Sequence, residues 1–455
     1  MISFLAKQKK ICVIGSGLVG TLLAILLTEA GFDVDVYEKR KDPRKESGNG
    51  HGRTIALSLS DRGWKALRSV GLEEAVLKNT NPAYGRMVYE ADGATHLQDY
   101  GDGSQAIHTV NRSWLNIALL KRAMTTRHAT FYFEHAAESI DEKTGDVVFT
   151  NLASNEKVTE RYDHIIGVDG VFSMVRAALS KKDRWAFESS ILDFGYKELR
   201  INPNTPGAYP LADHRVHVWP RKNSVIIAFP TTDDYFAATL FFPVLGENSL
   251  ATITDTKKLR SFMEREYGDV IPYIPNLESD FFYNPDSILT QVKGWPWHYE
   301  DKVLLMGDAC HAITPFYGMG MNIGFEDCTV FMEILKKNNY DVGMTFASFD
   351  VVRKPDTDAM FDFSYKNFRS LNESPDPEYN TKWLLERRIW KLFPQKWMPG
   401  YVRIVFSETP IGELPPIQKK QDHLLAVLMA DHPNAMDLPD EELRAAVKPL
   451  LAQFF

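Results

Sequence analysis

Cysteine is nearly absent: Cys12, Cys310 and Cys328 are the only three in 455 residues. Thiols so few and so scattered build neither a disulfide framework nor a thiolate metal cluster, and they suit a reducing, cytoplasmic setting. The 12 histidines show no HxH or HxxxH spacing, so no metal site is expected from them. No apolar run reaches the ~20 residues a membrane-spanning helix needs. The short runs Thr21–Leu27 and Leu424–Ala430 read as buried helix faces. The opening MISFLAKQKK is too short and polar for a signal peptide. A formal net charge of -8 argues against nucleic acid or an anionic membrane as the main partner. Repeats and low-complexity tracts are also missing. At 44% hydrophobic and 25% charged residues, the chain reads as an ordinary globular protein with several domain-sized units. Its end, Phe454-Phe455, reads as a docked terminal helix, with a weak membrane-surface contact as the alternative.

What is present is a βαβ opening. Lys10–Ile14 is an apolar strand, Leu18–Glu29 a helix stopped at Gly31, and Asp33–Glu38 a second strand. Gly15-Ser16-Gly17-Leu18-Val19-Gly20 lies at the strand-to-helix turn. Its first glycine allows the tight turn, its second lets a pyrophosphate reach backbone, and its third lets helix and strand pack closely. Glu38 follows Gly20 by 18 residues, where an acid can hold ribose hydroxyls. The stretch Leu304–Asp327, LLMGDACHAITPFYGMGMNIGFED, repeats the theme with strand, acidic turn, glycine loop and helix. Asp308 can accept from a ribityl or ribose hydroxyl, and the open helix end offers N–H groups to a phosphate. Gly318 and Gly320 let a flat ring lie on bare backbone. Between them, Asp169-Gly170-Val171-Phe172-Ser173-Met174-Val175-Arg176 reads either as polar groups near the same pyrophosphate or as a capped helix start.

Elsewhere, Asp61–Val70 and Arg112–Thr126 read as helices, and Asp146–Asn151 and His164–Val168 as strands. From Tyr196 to Phe242 short alternating strands follow one another (Tyr196–Ile201, Arg215–Val218, Ser224–Phe229, Phe236–Phe242), suggesting an inserted antiparallel sheet. The chain turns helical from Thr329 onward. The expected fold is α/β: a Rossmann-type dinucleotide domain, an inserted antiparallel β-sheet substrate domain and a C-terminal helical region. The expected bounds are 1–185 and 286–335 for the first, 186–285 for the second and 336–455 for the third.

The ordered trio of motifs resembles the class A flavoprotein monooxygenases, in which GxGxxG, DGxxSxVR and GDAxHxxxPxxGxGxN clasp one FAD. A narrower resemblance, to the kynurenine 3-monooxygenase family, covers nearly the whole chain. It rests on Gly52-Arg53-Thr54-Ile55, Tyr84-Gly85-Arg86-Met87, Asp99-Tyr100-Gly101, Gly195-Tyr196-Lys197-Glu198-Leu199, His217-Val218-Trp219-Pro220, Pro315-Phe316-Tyr317-Gly318, Lys366-Asn367-Phe368 and Pro399-Gly400-Tyr401-Val402. The resemblance implies FAD contacts from Gly15, Gly17, Leu18, Gly20, Glu38, Arg40, Arg53, Arg112, Asp169, Gly170, Asp308, Gly318, Gly320, Met321 and Asn322. Within that set, Glu38 meets the adenosine ribose, Arg112 the flavin-side phosphates or ribityl chain, and Asp308 the ribityl. NADPH visits without a dinucleotide fold of its own. For the substrate, the resemblance implies a carboxylate clamp of Arg86, Tyr100, Asn367 and Tyr401, since a guanidinium grips a carboxylate through two parallel hydrogen bonds. Val216, Ile227, Phe229, Thr239, Phe241, Pro315 and Phe316 wall the aromatic ring. Read without the family, the apolar residues are core and Arg86 is a surface ion pair.

The implied reaction is NADPH- and O₂-dependent hydroxylation of L-kynurenine to 3-hydroxykynurenine through a flavin C4a-hydroperoxide. No catalytic acid or base is named, and His311 reads as a loop support. Met319 stands where the family usually carries Gln, and Thr54-Ile55-Ala56 where it carries Ser-Ile-Asn. Those departures favour one alternative, a same-fold hydroxylase of another anthraniloyl or aryl substrate. The others are a flavin oxidoreductase without hydroxylation and a flavin-binding protein whose chemistry has decayed, against which the three intact FAD motifs argue. The oligomeric state is left open, a homodimer included.

Overall fold

The computed structural model describes residues 9–45, 55–203, 211–372 and 377–455. They form two compact units. One comprises the described residues within 1–80, 110–192 and 288–364; the other comprises those within 81–109, 193–287 and 365–455.

The first unit is built on a six-stranded sheet in the order His298–Tyr299, Val303–Leu305, His164–Gly167, Lys10–Ile14, Asp33–Glu38, Ala129–Phe133. All neighbours run parallel except His298–Tyr299. Parallel strands are covered on both faces, which is why KICVI, HIIG and VLL are almost wholly buried. The helix Leu18–Glu29 packs its apolar length onto the same core. Strand, helix and strand bounds over Lys10–Glu38 are those expected from the sequence. The helix at Arg112 stops at Ala123 rather than Thr126, because the Thr125 and Thr126 hydroxyls donate to carbonyls of its last turn. A three-stranded antiparallel sheet, Lys157–Arg161, Asp146–Asn151 and His135–Asp141, completes this unit.

The second unit carries six strands of a seven-stranded sheet, in the order Ala186–Ile201, Phe236–Pro243, Ser224–Pro230, Arg215–Arg221, Gly85–Tyr89, Thr95–Asp99. It is antiparallel except where Arg215–Arg221 runs parallel to Gly85–Tyr89. Strand alternation sends Leu199, Ile226, Ala228, Ala238, Leu240 and Phe242 to one face, where they bury against Leu259, Phe262 and Met263 of the helix Thr256–Tyr267. Four helices follow, Pro377–Leu392, Gly400–Val405, Leu414–Asp431 and Asp440–Phe454, around Leu385, Ile389, Trp397, Leu424 and Leu428. The expected docked C-terminus is a helix whose end sets Phe454 against His423 and Phe455 against Trp397. Among the described residues, no helix is long and apolar enough to cross a membrane.

Candidate functional site

At the mouth of the first unit's parallel sheet, three turns converge on the strand ends of Lys10–Ile14, His164–Gly167 and Val303–Leu305. Gly15 takes φ +110°, and a Cβ there would strike the Val168 carbonyl oxygen at 2.6 Å. A Cβ on Gly20 would lie 2.0 Å from the Gly15 oxygen, so only glycine lets helix and strand meet. Gly17 differs. Its φ of -69° suits any residue, and a Cβ there would meet nothing within 4 Å. It opens onto empty space at the N-terminus of the Leu18–Glu29 helix, which no side chain caps. Such a helix end, with its N–H groups and positive dipole, is a ready anion cradle.

Glu38 ends its strand buried, with Ser16 N–H donating to Oε2 at 3.0 Å. Arg40 donates to the same carboxylate from its backbone N–H at 2.9 Å and from Nε at 2.8 Å. Burial pushes the carboxyl upward, but Arg40 and the Ser16 N–H outweigh it and hold it below its ordinary range. Arg53 lies outside the described residues.

Asp308 follows Gly307, whose φ of 60° and ψ of -145° only glycine adopts readily. Asp308 is exposed, and desolvation by its surroundings raises its pKa. Arg112, exposed at the head of its helix, lowers the same carboxyl through space, so the fold brings the two together. Asp169 accepts through Oδ2 from the Met174 and Val175 N–H groups at 2.7 and 3.3 Å, and burial raises its pKa. Its buried Oδ1 has no partner among the described residues. Ser173 caps its helix through the Arg176 N–H, and Arg176 donates to the Val171 and Ala309 carbonyls. The capped-start reading therefore holds for these two: Arg176 braces one turn against the other, and Gly170 beside it takes φ +81° over open space.

Gly318 takes φ +69°, and the helix Gly320–Lys337 opens without a side-chain cap. Gly320 has open space, a Cβ there finding only Ile313 at 3.9 Å. Asn322 is fully buried and its amide is spent. Nδ2 donates to the Ser58 and Gly318 carbonyls at 2.8 and 3.0 Å, while Oδ1 accepts from Ser60 N–H at 2.9 Å. It ties the strand Ala56–Leu59 to the glycine loop, and any contact with a ring there comes from backbone. Met319 is buried and Met321 half-buried. His311 meets Asp327 at 2.6 Å beneath the turn, as a loop support does. Pro315 and Phe316 form the tight turn before Gly318, Pro315 exposed and Phe316 buried. No group of His, Cys, Asp and Glu among the described residues could hold a metal ion.

In the second unit, strand register sorts the remaining candidates. Arg86 pairs with Val216, Val218 with Ile227, Ile227 with Thr239, and Val225 with Phe241. Paired residues point the same way. Arg86, Val216, Ile227, Phe229, Thr239 and Phe241 thus share the face opposite the one packed on Thr256–Tyr267. Arg86 Nε donates to Gln98 Oε1 at 2.6 Å, and its guanidinium stands 5.1 Å from the Trp383 ring centre. Tyr100 is buried and stacks on Tyr401 at 5.3 Å, and Tyr401 lies 5.8 Å from Trp383. Arg387 stacks on Trp383 at 3.6 Å and donates to the Asp99 and Tyr100 carbonyls. Arg86 and Tyr401 therefore meet at one indole, and Tyr100 stacks on the Tyr401 beside it. Asn367 is half-buried near the end of the helix Val342–Asn372, next to Phe368, which meets Phe194 edge-on. Sequence reading missed Trp383 and Arg387; their setting, TKWLLERR, reads as a plain amphipathic helix.

An open cradle at Gly17, two uncapped helix ends, an orphaned Asp169 oxygen and an exposed Asp308 near Arg112 fit a flavin dinucleotide. The class is borne out by comparison: residues 8–338 match the FAD binding domain family. Solved structures of the same fold include 2-methyl-3-hydroxypyridine-5-carboxylic acid oxygenase, at TM-score 0.68 and 20% identity over 84% of this chain and 96% of that one. Another is the tetracycline destructase Tet(51), at TM-score 0.61 and 19% identity over 86% and 99%. Within that class the chain belongs to the kynurenine 3-monooxygenase family. It is 39% identical to the kynurenine 3-monooxygenase of Flavobacterium johnsoniae, covering 95% of this chain and 97% of that one. Identity is 36% to that of Flavobacterium psychrophilum (98% and 99% covered) and 35% to that of Myxococcus xanthus (99% and 97%).

Proposed function

We propose that the protein hydroxylates L-kynurenine at the ring carbon ortho to the arylamine, consuming NADPH and O₂. Bound FAD supplies the redox chemistry, taking reducing equivalents from NADPH and activating O₂. In the first unit, Gly17 and the Leu18–Glu29 helix end hold the pyrophosphate. Glu38 takes the adenosine ribose, with Arg40 beside it. Arg112 and Asp308 serve the phosphate and ribityl side, and the backbone of Gly318 to Met321 meets the ring.

In the second unit, Arg86 receives the amino-acid carboxylate, with Tyr100, Asn367 and Tyr401 as further donors. Ile227, Phe229, Thr239 and Phe241 wall the aromatic ring on one sheet face. The arylamine activates its own ortho carbon, so the chain's task is to orient the ring and exclude water. No residue is needed as general base. The observation that carries the reading is that Arg86 and Tyr401 meet at Trp383, with Tyr100 stacked on Tyr401, in a chain that aligns over 95% of its length with a kynurenine 3-monooxygenase.

Arg86→Ala removes charge-assisted hydrogen bonds to the carboxylate worth ~1.5–3 kcal/mol each. The Michaelis constant for L-kynurenine should rise by about 10- to 100-fold or more, with FAD content unchanged. A variant that binds kynurenine normally would remove Arg86 from the clamp.

A further inference from the structure

Two arginines, Arg62 and Arg353, are fully buried and share Glu326, and neither has a part in the site as described. Arg353, on the helix Val342–Asn372, is 1% exposed. A guanidinium cannot lose its charge in a protein, so burying it demands matched carboxylates. Glu326, Asp327 and Asp356 supply them, at 3.1, 3.0 and 2.8 Å.

Asp327 is the member that reaches the flavin side. Its Oδ1 accepts from Arg353 Nε, leaving Oδ2 for the Gly307 N–H at 3.0 Å and His311 Nε2 at 2.6 Å. Burial alone would push this carboxyl up; His311 and Arg353 overcome it and hold Asp327 below its ordinary range. It therefore stays ionised and purely accepting. Gly307 is the residue that turns the chain from strand into Asp308. The Gly307 carbonyl is held within the turn by the Cys310 and His311 N–H groups, at 3.0 and 3.1 Å, while its N–H is held from outside by a carboxylate that Arg353 clamps.

The same helix fastens this segment twice more. Asp350 accepts from the Trp297 N–H at 3.3 Å, and Trp297 lies 5.3 Å from the His311 ring. Ser364 Oγ and Thr314 Oγ are 2.6 Å apart, with Ser364 also donating to the Thr314 carbonyl. The loop is braced before, at and after the acidic turn, and Arg353 is the central brace.

We propose that Arg353 is a positioning residue for the flavin: acting through Asp327, it fixes the Gly307-Asp308 turn so that Asp308 faces the ribityl chain. This rests on the assignment of Asp308 to FAD. The test follows FAD release from purified holoenzyme by flavin fluorescence on dilution, in wild type, R353M, R353K, D308A and the double variant D308A/R353M. Losing an outer support of this kind should raise the FAD dissociation constant about 10- to 100-fold in R353M. R353K keeps the charge but not the fork, and recovers part of the affinity. The double variant should release FAD no faster than D308A alone, because both changes act on one contact.

A merely structural arginine would lower thermal stability while its effect multiplied with that of D308A. Multiplying effects, or wild-type affinity in R353M, would overturn the proposal. Should R353M fail to fold, R353K decides: wild-type affinity in R353K alone, or an effect that multiplies with that of D308A, overturns the proposal. If D308A itself leaves FAD affinity untouched, the ribityl assignment of Asp308 fails, and the proposal with it.

Discussion

Gly17 and Gly20 sit three residues apart in one motif, yet alanine at each should fail in opposite ways. At Gly17 the backbone is already extended and the new methyl enters empty space. Restricting the unfolded chain stabilises by ~0.4–1 kcal/mol, and replacing glycine by alanine at a helix N-cap costs roughly as much. The flavin-free G17A protein should therefore melt within about 2 °C of wild type. The methyl, however, occupies the cradle proposed for the pyrophosphate. Displacing one charge-assisted hydrogen bond and part of the helix-end attraction costs ~2–4 kcal/mol, about 30- to 1,000-fold in FAD affinity. At Gly20 the methyl would collide with the Gly15 carbonyl, which cannot retreat without moving the strand. G20A should lose ~1–3 kcal/mol or more of stability with or without flavin. Differential scanning fluorimetry on both forms, with FAD titration of the stripped proteins, separates the two. A G17A protein with wild-type FAD affinity would refute the cradle, and a large melting loss without flavin would refute the open space.

Two further outcomes follow. Burial raises Glu386 to about 7, with Asp422 adding to the shift and Arg387 and Lys366 opposing it. A folded-state pKa above the ordinary 4.5 means that the folded chain holds a proton the unfolded chain has released. Stability should fall as pH rises from about 4.5 to about 7 and stay flat above; E386Q should raise the melting temperature at pH 8 but not at pH 4.5, and equal effects at both would contradict the shift. Asn322→Ala removes three buried hydrogen bonds between the glycine loop and the strand Ala56–Leu59. It should cost ~2–4 kcal/mol in thermal unfolding, and a wild-type melting curve would show that the tie does not hold the loop.

The βαβ opening was legible residue for residue because a buried parallel strand, a glycine turn and an apolar helix each leave a local pattern. The sheet of the second unit was half legible. Its strands between Arg215 and Pro243 alternate clearly, but Gly85–Tyr89 and Thr95–Asp99 lie far upstream and join it through a parallel pairing that no local pattern marks. Ala186–Ile201 was read ten residues short, since its first half is polar and only half-buried. Motif glycines and Asp308 could be found from spacing, whereas Asn322 reads as a ring contact and is in fact spent on backbone. Trp383, Arg387 and Arg353 were invisible for one reason. Each matters through a partner distant in sequence, such as Tyr100 for Arg387 and Asp327 for Arg353.

The most direct test of the account is NADPH oxidation by the purified yellow protein, with and without L-kynurenine, with products identified by mass spectrometry. Kynurenine-stimulated oxidation, giving a product one oxygen heavier that co-elutes with 3-hydroxykynurenine, is the predicted result. Stimulated oxidation that yields only peroxide would mean that kynurenine binds without being hydroxylated, directing attention to Met319 and Ala56. No stimulation at all would contradict the substrate assignment and leave only the FAD fold standing.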